Sequence, residues 1–165
     1  MHDLSGDWDG AGVRFLQLVD LTAGALRIEF RARSGNSEVL CSLAHRATRG
    51  DPYYERPMSE WYIKDGWWRF NSPEDGHEAT PKFDIQTDQL RFHTYSIQLT
   101  PTDNDLVWDY RTMVDDGVLG DVRGKWSPGG GDPTNVHIYF HVCQETGGAV
   151  NEGSFIDDIV IEHDS

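Results

Sequence analysis

The sequence predicts an all-β protein, a two-sheet antiparallel β-sandwich of the jelly-roll type. Three observations support this prediction. Short runs alternate between apolar and polar residues, turn-forming residues separate the runs, and no segment shows sustained helical periodicity. Eight or more short strands without helices are typical of sandwiches and barrels. The chain has 165 residues, the length of one domain, so we expect residues 1–165 to form a single β-sandwich domain.

The clearest strands are predicted over residues 25–33 and 136–143. In the first, leucine, isoleucine, phenylalanine and alanine alternate with arginine and glutamate. In the second, valine, isoleucine and phenylalanine face one way, and His137, Tyr139 and His141 face the other. Further strands are expected over residues 13–19, 38–45, 95–99, 106–113 and 154–162.

A hairpin is predicted over residues 61–70, because Asp65 and Gly66 separate two aromatic-rich runs and Asp-Gly is a favoured hairpin turn. Residues 46–59 and 71–84 contain several prolines and glycines, and we expect both segments to be loops. Loops at the ends of a sheet often carry binding residues, so a site near these segments is expected.

The charge balance narrows the class of partner. The chain has 14 Lys and Arg against 28 Asp and Glu, a formal net charge of −14. Such a surface repels phosphates and anionic lipids, so we expect neither nucleic acid nor a membrane as a partner. Neutral ligands, cations and basic proteins remain possible partners.

Cys41 and Cys143 are too few for a disulfide scaffold, and either one bridge or two thiols fits the sequence.

Aromatic residues are concentrated in one third of the chain. Aromatic rings cover the apolar faces of sugars, while nearby polar side chains bind the sugar hydroxyls. The candidate ligand-binding residues are Trp61, Trp67, Trp68, Tyr53 and Tyr54. The alternative is that these rings only fill a core. Trp67 and Trp68 are adjacent on a strand and must point to opposite faces, so one of them is expected in the core.

A second candidate site is the outward face of the predicted strand near the C-terminus. His137, Tyr139 and His141 alternate along it and could bind a sugar, or act as acid and base. Arg31 or Arg33 could neutralise a uronate in such an enzyme. His137 and His141 would lie about 13 Å apart, too far to share one zinc ion. A solvated strand face is the alternative.

The third candidate is a metal site at Asp157 and Asp158, two acids inside a hydrophobic run. Carboxylates in such a run must be exposed, paired or bound to a cation, and Ca²⁺ takes several oxygen ligands. Asp3, Asp7 and Asp9 could supply further oxygens if the two chain ends meet. The alternative is one surface acid beside another that is bonded to backbone amides.

Three segments together resemble the carbohydrate-binding modules and the concanavalin A-like or galactose-binding-like jelly rolls. Residues 12–33 are similar to their paired early strands, residues 92–99 to their His-x-Tyr-x-Ile strand, and residues 153–161 to their closing Ile-Asp-Asp-Ile-x-Ile strand. The resemblance implies a polysaccharide or oligosaccharide partner, one structural calcium ion held by Asp157, no organic cofactor, and an extracellular or periplasmic location. Residues 156–162 lack the first Glu of the Glu-x-Asp-x-x-Glu strand that glucanases of this group use.

These observations predict a non-catalytic glycan-binding module with an aromatic sugar platform. The alternatives are a polysaccharide lyase or glycoside hydrolase of concanavalin A-like fold, and a protein-interaction or adhesion domain. The chain has no Gly-x-Ser-x-Gly, His-Glu-x-x-His, Cys-x-x-Cys or phosphate-loop motif. Pairs of acids give no information on glycoside hydrolysis, because 28 acids produce such pairs by chance. The identity of the glycan and the oligomeric state stay open.

Overall fold

Two antiparallel sheets make up the part of the chain described by the computed structural model, which comprises residues 8–35, 37–46, 55–71, 83–104, 107–127, 132–145 and 153–164. The strands are β1 (Trp8–Arg14), β2 (Leu26–Arg33), β3 (Glu38–Arg46), β4 (Glu55–Lys64), β5 (Trp67–Asn71), β6 (Asp84–Gln86), β7 (His93–Pro101), β8 (Trp108–Val114), β9 (Gly120–Trp126), β10 (Val136–Glu145) and β11 (Phe155–His163). A short 3-10 helix, Asp115–Gly117, follows β8. In these ranges we find no helix of the length and apolar character that a membrane span requires.

Sheet A has the strand order β1-β10-β3-β4-β5-β6, and sheet B has the order β11-β2-β7-β8-β9. Every pair of neighbouring strands is antiparallel. The chain crosses between the sheets after β1, β2, β6, β9 and β10, so that the strands of each sheet come from distant parts of the sequence. This arrangement confirms the predicted two-sheet antiparallel jelly roll. A single domain over residues 1–165 stays a prediction.

The hydrophobic core lies between the sheets, because each strand turns alternate side chains inward. In β2, Leu26, Ile28, Phe30 and Ala32 are buried, and the residues between them are half-buried or exposed. In β10, Val136, Ile138 and Phe140 are buried and Val142 packs half-buried against the core, which confirms the inward side predicted for this strand. The largest fully buried side chains are Trp61, Trp68, Trp108 and Trp126. Cys41 is a free thiol in this core, and its burial raises the pKa of the thiol.

The predicted hairpin joins β4 to β5, with Lys64 opposite Trp67. Asp65 and Gly66 close it with φ angles of +52° and +76°. Two consecutive left-handed residues are what a two-residue type I′ turn requires, and Asp-Gly meets that requirement at little cost. The loop predicted over residues 46–59 is wrong from Glu55 onward, where β4 begins, and residues 47–54 lie outside the described residues.

Strand β9 was not predicted, because glycines interrupt its apolar alternation. Gly120 and Gly124 occupy inward positions, where a side chain would collide with the core. A Cβ at Gly120 would lie 2.6 Å from Ile85 Cδ1, and a Cβ at Gly124 would lie 2.4 Å from Tyr110 Cε1. The side chains of Ile85 and Tyr110 therefore fill the space beside these two glycines. β9 needs no apolar side chain at these inward positions, so its sequence shows no apolar alternation.

The strand predicted over residues 13–19 is wrong in its position. The pairing of β1 with β10 ends at Arg14, and beyond that residue Val19 forms an isolated bridge to Val136. Leu16 and Leu18 are exposed there, so the apolar character of this segment does not reflect burial. β6 was also missed, since three residues are too few to show an alternation.

Candidate functional site

The candidate site is the outer face of sheet A, which points away from the core. Strand register aligns its residues in rows that cross the sheet. One row contains Gly12, His141, Leu40, Tyr62 and Arg69, and the next contains Arg14, Tyr139, Ser42 and Glu60. Neighbouring strands lie about 4.8 Å apart, so a row across five strands spans about 19 Å. We call this surface the A face and define it by Arg14, Glu60, Tyr62, Trp67, Arg69, His137, Tyr139 and His141.

Three residues predicted from β10 lie together on the A face. The ring centroid of Tyr139 is 6.4 Å from that of His137 and 5.5 Å from that of His141. Tyr139 is buried although it points away from the core, and the two histidines are half-buried. His137 Nδ1 donates a long hydrogen bond of 3.4 Å to the carbonyl oxygen of Phe15.

Strand β1 supplies an arginine that sequence reasoning did not single out. Arg14 lies opposite Tyr139 in the register of β1 with β10, and Gly12 lies opposite His141. A Cβ at Gly12 would lie 3.1 Å from His141 Nδ1 and 2.7 Å from the carbonyl oxygen of Phe140, so glycine leaves room for the imidazole. Arg14 and Tyr139 are far apart in sequence, and strand pairing is the only signal that joins them.

Glu60 is a second residue of the A face that the sequence did not reveal. It lies on β4 opposite Ser42, which in turn lies opposite Tyr139. Burial raises the pKa of the Glu60 carboxyl above its ordinary value of 4.5, and the charge of Glu38 raises it further. A half-buried carboxyl with a raised pKa, on a face that carries histidine and tyrosine, is suited to donating a proton.

The aromatic side chain best placed to receive a sugar is Trp67, which is half-buried on the A face. The guanidinium carbon of Arg69 lies 5.8 Å from the ring centroid of Trp67, and Arg69 Nε forms an ion pair of 2.9 Å with Asp84 Oδ1. Lys64, opposite Trp67 in the hairpin, forms an ion pair of 2.6 Å with Glu38. Trp67 is thus framed by charged groups that can bind hydroxyls.

Two of the predicted sugar-platform residues are wrong. Trp61 and Trp68 are 0% exposed and pack in the core, so neither ring can contact a ligand on the surface. The structure confirms that Trp67 and Trp68 point to opposite faces and that one of them fills the core. Tyr53 and Tyr54 lie outside the described residues.

The predicted pairing of arginines from β2 with the histidines of β10 is also wrong. Arg31 and Arg33 lie on the outward side of sheet B, whereas His137 lies on the outward side of sheet A. The core separates them, so neither arginine can neutralise a substrate held at Tyr139. The guanidinium of Arg31 lies 4.7 Å from the ring centroid of Phe92, and that of Arg33 lies 4.9 Å from the ring centroid of Phe155. The arginine opposite Tyr139 on the A face is Arg14, which could take this role.

Asp157 and Asp158 are exposed at a bulge in β11, where Asp158 has φ +50°. Asp157 Oδ1 accepts a hydrogen bond of 2.9 Å from the backbone amide of Asp158, and Asp158 lies 3.9 Å from Arg31. Among the described residues, no three His, Cys, Asp or Glu side chains are grouped so that they could hold a metal ion. Asp3 and Asp7 lie outside the described residues. A calcium ion at Asp157 stays a prediction.

Comparison with known proteins gives structural neighbours but no sequence relatives. No protein-family model matches the chain, and no curated protein sequence matches it. A structure of the family 7 alginate lyase A1-II′ in complex with product superposes with a TM-score of 0.63 at 11% identity, covering 99% of this chain and 75% of the lyase. A second A1-II′ structure gives a TM-score of 0.57 at 12% identity, covering 90% and 65%. An alginate lyase from Pseudomonas aeruginosa gives 0.54 at 8% identity, covering 89% and 68%.

At these identities the likeness concerns the fold alone. The protein shares the two-sheet jelly-roll fold of those lyases, which confirms the fold that the sequence resemblance implies. The chain spans roughly two thirds to three quarters of the length of these neighbours.

Proposed function

We propose that this protein binds a polysaccharide or oligosaccharide along the A face. The observation that carries the proposal is a group of rings on one outward sheet face: Tyr62 lies in the same row as His141, and Trp67 and Tyr139 lie in the rows on either side. Such rings can cover the apolar faces of successive sugar units. Between them, Arg69 and other charged groups can bind hydroxyls.

The local charge of the A face supports a glycan as the ligand. Among the residues whose side chains are described on and beside it, the three cations Arg14, Lys64 and Arg69 are equal in number to the carboxylates Glu38, Glu60 and Asp84, although the whole chain carries −14. A surface with equal numbers of positive and negative groups does not repel a neutral sugar. It also repels a negatively charged uronate less than a surface with the average charge of this chain would. The alginate lyases of the same fold supply a uronate polymer as the first acidic glycan to test.

The experiment is a fluorescence titration of the full chain with soluble polysaccharides, neutral ones and alginate, repeated with Trp67→Ala. Loss of a central aromatic contact is expected to weaken binding at least about tenfold. Phe92→Ala removes an exposed ring just before β7 of the opposite sheet and is the matched control, with unchanged affinity expected. Binding that survives Trp67→Ala at full strength would show that the A face is not the site.

A second candidate function is cleavage of a uronate polysaccharide by β-elimination. The observation in its favour is Tyr139 between two imidazoles, with Arg14 opposite it on β1. Arg14 would neutralise the carboxylate of the uronate, and His137 or Tyr139 would take the proton on the adjacent carbon. The C–O bond to the leaving sugar then breaks, a proton from Tyr139 or Glu60 goes to the leaving oxygen, and a carbon–carbon double bond forms.

Cleavage is tested by the ultraviolet absorbance of unsaturated products after mixing with alginate. Activity that is lost in Tyr139→Phe, with binding retained, would support elimination at this site. Thr94→Val on sheet B is the control and is expected to retain full activity. A flat absorbance trace across a panel of uronate polymers would remove this candidate and leave the binding proposal standing.

A further inference from the structure

A polar trough crosses the outer face of sheet B, on the opposite side of the sandwich from the A face. Two adjoining pockets of about 500 and 220 Å³ form it, and they share Gln98 and Thr100 of β7. The larger pocket extends over β8 and β9, and the smaller one extends over β2 and β11. We call this surface the B trough and define it by Arg27, Gln98, Thr100, Arg111, Arg123 and Lys125.

Each cation of the B trough contacts a carboxylate, and Asp164 in the lining of the smaller pocket adds one more, so the trough has no excess of positive charge. Arg27 contacts Glu162 and Glu29, each at 2.7 Å. Arg111 binds Asp121 through two hydrogen bonds of 3.0 and 2.6 Å, and Arg123 approaches the same carboxylate at 3.4 Å. Lys125 forms an ion pair with Asp109. Four cations therefore face five carboxylates, Asp164 included.

The side-chain amide of Gln98 lies in the middle of the trough and makes no hydrogen bond within the described residues. Gln98 lies between Arg27 and Arg111 in the strand register. Its side chain is half-buried and has no hydrogen-bond partner among the described residues. An amide offers two donors and an acceptor from one rigid group, which suits neighbouring hydroxyls of a ligand.

We propose that the B trough is a second binding site, and that its ligand is a neutral oligosaccharide. Without an unpaired cation, the trough has nothing to attract a phosphate, a sulfate or a uronate. Its fixed donors and acceptors instead match the closely spaced hydroxyls of a neutral sugar, and the paired charges strengthen each hydrogen bond. The trough spans five strands, about 19 Å, which is long enough for several sugar units.

The two sites would point away from each other, since they lie on the outer faces of opposite sheets. If the proposed function of the A face also holds, one chain can bind two glycan chains at once and link them. Linking raises the apparent affinity for a polymer without any new contact. The B trough itself does not depend on the A face, so each site can fail separately.

The test is affinity electrophoresis of the full chain in gels that contain β-glucan, xylan, mannan or galactan, with alginate as the anionic comparison. The Trp67→Ala variant is used as background, because it removes the ring of the A face. Retardation by a neutral polysaccharide in this background, and about a fivefold loss of affinity on adding Gln98→Ala, are expected. Thr100→Ala is a second variant of the trough and is expected to weaken binding in the same direction.

Gln17→Ala is the matched control, since Gln17 is an exposed glutamine outside the trough. Gln98 is half-buried and makes no internal hydrogen bond within the described residues, so its replacement is expected to leave the melting temperature unchanged. The proposal is overturned if the Trp67→Ala protein is not retarded by any neutral polysaccharide, or if Gln98→Ala and Thr100→Ala both bind as their parent does. Binding that depends on Gln98 and not on Trp67 would instead sustain the trough and refute the A face.

Discussion

The indole nitrogen of Trp68 donates a hydrogen bond of 2.9 Å to the hydroxyl of Thr112, and this bond joins the two sheets through the core. Trp68 is on β5 of sheet A, and Thr112 is on β8 of sheet B. The hydroxyl of Thr112 in turn donates to the carbonyl oxygen of Ser96, at 3.1 Å. Both side chains are fully buried, so the donor of Trp68 is satisfied in a place that water does not reach.

We predict that Thr112→Val lowers the free energy of unfolding by about 1–3 kcal/mol, because valine preserves the shape but leaves the buried indole N–H without an acceptor. Urea denaturation monitored by fluorescence measures the effect. Thr94→Val, a half-buried threonine on the neighbouring strand, is the control and is expected to change stability little. Equal denaturation midpoints for Thr112→Val and the wild type would show that the bond adds nothing.

Glu60 leads to a prediction about stability and pH. Because burial raises its pKa in the folded state, the unfolded chain releases this proton at lower pH than the folded chain does. Stability therefore falls as pH rises past 4.5, and the ionised group opposes folding at neutral pH. We expect Glu60→Gln to melt higher than the wild type at pH 7, by about 2–4 °C, with no advantage well below pH 4.5.

Removing any carboxylate makes the net charge of −14 less negative and so reduces repulsion within the folded chain. A control must separate this general effect from the effect of burying Glu60. Asp103→Asn removes one charge from an exposed turn and serves as the control. A gain in melting temperature of the same size in both variants would contradict a specific role for the burial of Glu60.

Asp121 gives the opposite dependence on pH. Hydrogen bonds from Arg111 and Arg123 lower the pKa of its carboxyl from 3.8 to about 2. Its contribution to stability is therefore complete above pH 3.8 and is lost as pH falls toward 2. We expect Asp121→Asn to lower the melting temperature at pH 7 by less than about 3 °C, since the group is largely exposed.

The decisive observation for Asp121 is the pH at which the two proteins converge. Thermal melts of the wild type and Asp121→Asn are expected to coincide near pH 2 and to differ from about pH 4 upward. Added salt is expected to reduce the difference at pH 7, because ions screen an exposed ion pair. A difference that persists at pH 2 would assign the effect to packing rather than to charge.

If Asp157 binds a calcium ion, we expect added calcium to raise the melting temperature and a chelator to reverse the effect. The reason is that a ligand that binds only the folded state stabilises it. Asp157→Asn is expected to remove the response. Asp116→Asn is the control, since Asp116 is an exposed aspartate with φ +54° and asparagine tolerates that conformation. Identical melting curves with calcium and with chelator would refute the calcium site.

The sequence by itself determined the strands that show clean alternation and the two faces of each. Residues 26–33 and 136–142 fold as their patterns predict, because successive side chains of a strand must point to opposite sides. The same rule placed His137, Tyr139 and His141 on one face and separated Trp67 from Trp68. Asp65 and Gly66 fixed the hairpin, since their backbone conformation is set locally.

Only the tertiary structure decided which faces meet. Arg14 lies beside Tyr139, and Arg31 lies on the opposite side of the molecule, although local pattern treats these arginines alike. Burial of Trp61 and the raised pKa of Glu60 likewise depend on strands that are distant in the sequence. The physical reason is that register and sheet order follow from packing of the whole core, whereas alternation reports only which side of its own strand a residue occupies.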